Sequence, residues 1–249
     1  MKIIISPAKK MNVDNDVFAA AKLPCFLKEA KQLAAWMRAL TYREAKSLWA
    51  CSDKIAELNF QRFADMDLER NLTPALLSYE GIQYQYMAPK VFSKNAWDYV
   101  QEKLRILSGF YGVLRPLDGV VPYRLEMQAK AGLDGKKDLY DFWGHKLYEQ
   151  VIDESRTIIN LASKEYSKCI EPYLQPEDRF ITCIFGEWKD GKVIQKATQA
   201  KMARGEMVRF MAENQIAEAE ELKLLDHPRY IFEEGLSSEK EYVFVRKNS

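Results

Sequence analysis

The sequence predicts an α/β protein: a mixed sheet with an antiparallel hairpin, surrounded by helices, in a single domain over residues 1–249. Three observations carry that expectation. Strand-like apolar runs alternate with segments of helical periodicity from the first residues onward. Lys189-Asp190-Gly191 separates two strand-like runs, a hairpin signal that a purely parallel sheet would not contain. A chain of 249 residues with 47% hydrophobic content can also bury a large core, and no Ser/Gly/Pro-rich linker, repeat or low-complexity block divides it.

Taken in order, Lys2 to Ser6 reads as a buried strand ending at Pro7, and Phe26 to Ala39 carries apolar residues at helical spacing. Thr41-Tyr42-Arg43-Glu44 matches a capping box, and Ser52 is placed to cap a helix through about Phe63. Leu76 to Tyr84 is a strand candidate broken at Gly81, and Ser93 caps a helix expected to reach about Leu107. Asp138 to Ile152 reads as a helix, Thr157 to Leu161 as a buried strand, and Ser163 as the cap of a short helix ending near Pro172. Strand-like runs at Phe180–Phe185 and Lys192–Gln195 flank the hairpin turn. A long helix over Thr198–Asn214 and a second to Leu225 follow, and strands near Ile231 and over Tyr242–Arg246 close the chain.

A net charge of +1 argues against a protein that coats polyanions through its overall field, so any anion site has to be local. The apolar run at the start is too short for a signal-peptide core, and no stretch approaches the length of a membrane span, which predicts a cytoplasmic protein without a membrane partner. The cysteines Cys25, Cys51, Cys169 and Cys183 are widely separated and read as reduced and buried; with only His145 and His227 present, no metal site and no cofactor is expected.

The densest chemical signal lies in Ala197 to Met211. At about 100° per residue, Lys201, Gly205 and Arg209 share one stripe with Arg204 beside it, while Ala203, Met207, Phe210 and Met211 face the other way. A solvated basic face is the ordinary explanation for such a stripe. Gly205, however, costs roughly 1 kcal/mol against Ala in mid-helix, so another backbone or a ligand is expected to approach there. A second signal is Ile106 to Pro116, where a helix is expected to end at Gly109 and Gly112 and a short helical turn to restart, offering free N–H groups to a phosphate. That pattern is close to a helix-hairpin-helix, with one extra residue between the glycines. Two further polar segments, Ser6 to Lys9 and Ala162 to Tyr166, follow predicted strands, where ligand crevices open in α/β sheets. Ser6 and Lys9 also have the Ser-x-x-Lys spacing of penicillin-recognising enzymes, but the companion motifs are missing.

In chain order, Ile5-Ser6-Pro7-Ala8-Lys9, Leu107 to Asp118, Pro122 to Met127, Asp141-Phe142-Trp143, Asn160 to Tyr166, Ala203-Arg204-Gly205 and Arg209-Phe210 resemble the bacterial YaaA family over nearly the whole chain. The resemblance implies a compact α/β fold with a helix-hairpin-helix-like element, resistance to hydrogen peroxide through limiting damage from unincorporated iron, and a positively charged cleft that binds double-stranded DNA. It assigns no reaction.

Three functions follow as expectations. The first is DNA binding mainly through the backbone, by Lys9, Gly109, Tyr111, Gly112, Arg115, Tyr123, Arg124, Lys164, Lys168, Lys201, Arg204 and Arg209, with Tyr111 and Tyr123 stacking on bases. The second is an enzyme acting on a small phosphate-bearing, nucleotide-like molecule in the same cleft, with Ser6, Lys9, Glu126 and Glu165 as its polar and acid/base groups. The balance leans against an enzyme. The third, iron sequestration, would rest on the acidic run Glu218-Ala219-Glu220-Glu221, which reads better as a solvated helix face.

Overall fold

The structure is a computed structural model and describes residues 1–13, 19–133 and 135–247. Its main sheet contains β1 (Lys2–Ile5), β2 (Leu104–Ser108), β3 (Gly112–Leu114), β4 (Thr157–Leu161), β5 (Arg179–Lys189), β6 (Lys192–Ile194), β7 (Tyr230–Phe232) and β8 (Glu241–Arg246). The spatial order is β7-β8-β5-β4-β1-β2-β3, with β6 paired to β5. The neighbours β1/β2, β1/β4, β4/β5 and β5/β8 are parallel, whereas β2/β3, β5/β6 and β7/β8 are antiparallel. The expected mixed α/β sheet is therefore the observed one.

The hydrophobic pattern explains the strand placement. β1 buries Ile3, Ile4 and Ile5 completely, so it must be covered on both faces, and it lies in the interior of the sheet between β2 and β4. The chain visits β2 and β3 on one side of β1 before crossing to β4 on the other. That reversal makes the C-terminal ends of β1 and β4, where Ile5 is level with Leu161, the place at which a crevice opens in such sheets.

The helices are α1 (Leu27–Ala39), α2 (Tyr42–Trp49), α3 (Asp53–Asp65), α4 (Ala75–Ser78), α5 (Ile82–Met87), α6 (Lys94–Lys103), α7 (Leu139–Trp143), α8 (Lys146–Val151), α9 (Lys164–Ser167) and α10 (Ala197–Glu213). Local chemistry sets several of their starts. Thr41 and Glu44 form the reciprocal capping box of α2, and Ser93 Oγ accepts from Ala96 N at 3.2 Å to cap α6. Asp138 caps α7 by accepting from Asp141 N at 2.9 Å. Ser52 stands at the start of α3 without a side-chain capping bond. In the β5/β6 turn, Asp190 and Gly191 both adopt positive φ, the conformation that the Asp-Gly signal anticipates.

Four expectations change. Leu76–Tyr84 is not one strand but α4, a two-residue ladder at Tyr79–Glu80 and the start of α5; Leu76, Leu77, Tyr79 and Tyr84 are buried all the same, and a short apolar run does not distinguish a strand from a buried helix. The helix after Ser93 stops at Lys103, because Leu104–Ser108 becomes the fully buried strand β2 with no Gly or Pro to mark the change. The helix expected over Asp138–Ile152 divides at Gly144 into α7 and α8. Finally, the second C-terminal helix is a 3₁₀ segment, Ala219–Leu224.

One close approach fixes the position of α10. A Cβ on Gly205 would lie 2.1 Å from the carbonyl oxygen of Gln83 and 2.9 Å from Met87 N, so the backbone of α5 occupies the space a side chain would need. The approach expected at Gly205 is thus met by a neighbouring helix. Gly205→Ala should cost at least about 2 kcal/mol by overpacking, read as a lower urea midpoint at unchanged m. Helix propensity alone predicts the opposite sign, a gain of about 1 kcal/mol, so a neutral or stabilised variant would contradict this packing.

Candidate functional site

A cleft of about 410 Å³ opens at the C-terminal ends of β1 and β4. The turn after β1 supplies Ser6, Lys9 and Lys10, and the start of α5 supplies Gly81, Gln83 and Tyr84. The loop after β3 brings Tyr123, Arg124 and Glu126, the start of α9 brings Ser163 and Glu165, and α10 contributes Lys201 and Arg204. Residues far apart in the sequence thus meet at one place.

The loop carrying Arg124 is held by backbone approach as well. A Cβ on Gly109 would come within 2.5 Å of Leu125 O. Arg124 O accepts from Trp49 Nε1 at 2.6 Å, and Arg124 Nη2 pairs with Glu126 Oε1 at 2.9 Å. The Arg124 and Glu126 side chains are only 11% and 17% exposed, so this is a largely desolvated pair rather than a surface one. Lys9 reaches the same Glu126 oxygen at 3.0 Å from the rim, and Lys10 pairs with Glu80 at 2.7 Å.

Arg204 and Lys201 differ from these. Neither forms a hydrogen bond or ion pair through its side chain with any described residue, and Arg204 Nε is buried without an acceptor. Burial holds the Arg204 guanidinium below its usual pKa, with a smaller opposing contribution from Cys183 beneath it. Gln83 Nε2 and Arg124 Nε are likewise buried without acceptors. All three donors belong to residues that line the same cleft, where Glu126 Oε1 also lacks a hydrogen bond though it is ion-paired to Arg124 and Lys9; an anion with acceptor oxygens matches the donors and not the carboxylate.

Glu165 is the carboxylate with the least compensation in the site. Burial, reinforced by nearby Glu126, raises its pKa above the ordinary carboxyl value, against a hydrogen bond from Gln128 N at 3.3 Å. Ser6 Oγ accepts from Ser163 N at 2.8 Å and lies 3.1 Å from Ser163 Oγ, while Ser6 O accepts from Tyr84 OH at 2.9 Å. The Lys9 ammonium is engaged with Glu126, so the Ser-x-x-Lys spacing does not create a lysine-activated serine here.

Several expected site residues are placed elsewhere. Gly109 and Gly112 belong to the β2/β3 hairpin, with strands on either side where helices were expected. The N–H groups of Phe110 and Tyr111, which the helical restart would have offered to a phosphate, donate to Ser108 Oγ at 3.2 and 2.9 Å. Tyr111 and Tyr123 are 0% and 5% exposed, and Tyr123 OH is bonded to Ser108 and Tyr79, so neither ring is free to stack on a base. Arg115 lines a different cavity. Arg209 lines a shallow groove with Glu206 and His227, and its Nε donates to Glu213 at 2.7 Å. Lys164 and Lys168 are exposed on and just after α9, with Lys164 paired to Glu171. Ser163 lies in the Ala162–Tyr166 segment expected at the crevice, whereas sequence reading did not identify Gln83 or Tyr84 as cleft residues; the close approach predicted at Gly205 was the one signal pointing toward the Gln83 wall. Among the described residues, no group of three or more His, Cys, Asp or Glu side chains is placed to hold a metal ion, and no helix is long and apolar enough to cross a membrane.

The sheet and its crevice define a mixed α/β protein with unpaired side-chain donors at the C-terminal ends of central parallel strands. The family model described as peroxide stress protein YaaA matches residues 1–236. A UPF0246 protein of Agathobacter rectalis is 56% identical over 247 residues, covering 99% of both chains. Another, of Pediococcus pentosaceus, is 55% identical over 246 residues, covering 99% of this chain and 98% of its own. The chain belongs to the peroxide stress protein YaaA family.

The raised pKa of Glu165 gives a test of the site's electrostatics. The unfolded chain ionises this carboxyl first, so the folded state loses stability as pH rises from the unfolded pKa through the folded one. Glu165→Gln lacks that loss. Its melting temperature relative to the native protein should therefore increase as pH rises above the ordinary carboxyl range, and a difference that stays flat would contradict the desolvation of Glu165.

Proposed function

We propose that this protein protects the cell under peroxide stress by binding double-stranded DNA, with the cleft at Arg204 and Lys201 receiving backbone phosphates, and that DNA binding serves to limit damage from unincorporated iron. The observation that supports this reading most is the unpartnered Arg204 guanidinium at the cleft, together with the free ammonium of Lys201. Exposed lysines extend the positive surface beyond them. Lys9 and Lys10 are 62% and 71% exposed on one side, and Lys164 and Lys168 lie at α9 on another. The Lys10–Glu80 and Lys164–Glu171 pairs are of the more exposed kind that contributes roughly 0–1 kcal/mol, so exchanging a carboxylate for a phosphate there costs little. With a net charge of +1, this local concentration rather than the whole surface supplies the attraction.

In this reading the buried tyrosines play no stacking role, and affinity comes from phosphate contacts. The log of the affinity for duplex DNA should fall linearly with log salt, with a slope of about −0.9 per phosphate neutralised. Lys201→Ala combined with Arg204→Ala should flatten that slope by about two phosphate contacts, while Arg209→Ala, whose guanidinium is already engaged with Glu213, leaves it unchanged. The reverse pattern would remove the cleft from the DNA-binding surface.

A second reading has its own supporting observation. The cleft's volume of about 410 Å³ lies within the range of small-molecule sites, roughly 300–1,000 Å³, and Glu165 with its raised pKa stands at its wall beside Ser6. A nucleotide-like, phosphate-bearing molecule would place its phosphate on Arg204 and Lys201 and its polar edge on Glu165 and Gln83. A thermal-shift series separates the two readings. If nucleotides and sugar phosphates at about 100 times their dissociation constants raise the stability of the native protein by about 2.7 kcal/mol and leave the double variant unmoved, the small-molecule reading gains; if only DNA does so, it fails.

A further inference from the structure

A second cationic cavity lies apart from the cleft and shares no lining residue with it. Lys22, Cys25, Arg105, Arg115, Asp118 and Gln150 help enclose a space of about 200 Å³. Arg105 is the second residue of β2, level with Ile4 of β1, and is only 6% exposed. Its one side-chain hydrogen bond runs from Nη1 to Leu104 O at 2.8 Å, and no described carboxylate lies within ion-pair distance of it, although Asp118 attracts it from farther away. Arg115 and Lys22 are exposed at the mouth, and neither side chain forms a hydrogen bond or ion pair with a described residue.

The charge balance of this cavity is unusual for a protein interior. Three cationic side chains surround one carboxylate, and none of them is within ion-pair distance of it. Asp118 Oδ2 instead accepts from Arg115 N at 2.8 Å. Burial, and after it the repulsion of Arg115, depresses the Arg105 pKa to about 10 against the attraction of Asp118, while burial raises Asp118 to about 6 in spite of the surrounding cations. A guanidinium is rarely buried without a counter-ion, because desolvating it is costly unless an opposite charge compensates. The Cys25 thiol contributes no such charge: it donates to Val113 O at 3.6 Å, and burial pushes its pKa up to about 11.

We propose that this cavity is a second anion site, binding inorganic phosphate or the phosphate head of a small phosphomonoester, with Arg105 as the buried donor and Arg115 and Lys22 closing on the anion from the mouth. The donor set fits a tetrahedral oxyanion, since guanidinium forks pair with phosphate oxygens and an ammonium adds a further charge. Its size favours a small ligand. At about 200 Å³ it is below the usual range for sites that enclose drug-sized molecules. The Asp118 carboxyl, raised to about 6, is protonated in part of the population under mildly acidic conditions and can then donate to a phosphate oxygen.

The test uses the full chain carrying Lys201→Ala and Arg204→Ala, so that the unpaired cations of the first cleft are removed. Inorganic phosphate titrated into this background should bind with a dissociation constant of about 1 mM or tighter, and adding Arg115→Ala should weaken it about tenfold or more. Arg115 has no side-chain partner to lose, so the variant is expected to fold; Arg105→Gln, which truncates a buried group, is read only after its circular dichroism matches the background. No phosphate binding in the background at about 20 mM, or binding that Arg115→Ala leaves unchanged, would overturn the proposal. So would a loss of duplex DNA affinity in Arg115→Ala with phosphate binding intact, since Arg115 would then be a backbone contact. Because the background lacks the unpaired cations of the first cleft, failure here leaves the proposed function of that cleft untouched.

Discussion

The carbonyl of Gln83 sits where a side chain on residue 205 would otherwise project, and the rest of the site follows from that contact. It draws α10 onto α5 at backbone distance. Arg204 and Lys201, on the neighbouring turn of α10, are thereby set opposite Gly81, Gln83 and Tyr84 across the cleft. The other side of α5 is tied to the sheet: a Cβ on Gly81 would touch that of Ala8, and Tyr84 OH bonds Ser6 O immediately after β1. Main-chain proximity therefore holds α10 on α5, while a small-residue contact and one tyrosine hydroxyl hold α5 on the turn after β1. The same device acts at Gly109, where the loop bearing Arg124 and Glu126 lies against the hairpin.

Such a frame allows an electrostatically unfavourable interior to persist. Arg204 is desolvated without a counter-ion, and Glu165 is desolvated beside another carboxylate. Each arrangement is costly by itself, and packed backbone elsewhere offsets the cost. The Arg124–Glu126 pair, by contrast, is internally compensated and acts as a strut for the loop. The cleft therefore holds two kinds of charge: paired groups that shape its walls and uncompensated groups available to a ligand. With the chain's formal charge near neutrality, the proposed attraction for a phosphate rests on the cations of this second kind, Arg204 and Lys201, with the Glu165 carboxylate opposing them.

Much of the frame was legible in the sequence because it depends on local chemistry. The Thr41/Glu44 box, the Asp190-Gly191 turn and the strand Thr157–Leu161 are written in short stretches whose meaning does not depend on tertiary context. So was the demand for close approach at Gly205. What was not legible involves burial. The Ile106–Pro116 segment has the residues of a helical restart, but its glycines serve a hairpin whose tyrosines are core, and no local pattern distinguishes a buried strand from a helix end when both are apolar. Arg204 and Arg209 are five residues apart on one helix and looked equivalent. Tertiary packing separates them, leaving Arg204 unpartnered in the cleft and Arg209 bound to Glu213 in another groove. Likewise Lys9 carries no sign in its own segment that Glu126 will neutralise it.

The central claim, that the uncompensated donors of the cleft receive a phosphate, is tested most directly by a crystal structure of the protein with a short DNA duplex. The account predicts a backbone phosphate oxygen about 2.7–2.9 Å from a guanidinium nitrogen of Arg204, with the Lys201 ammonium directed at the same or the adjacent phosphate. A complex in which the duplex lies on another face and Arg204 still meets no acceptor would contradict it.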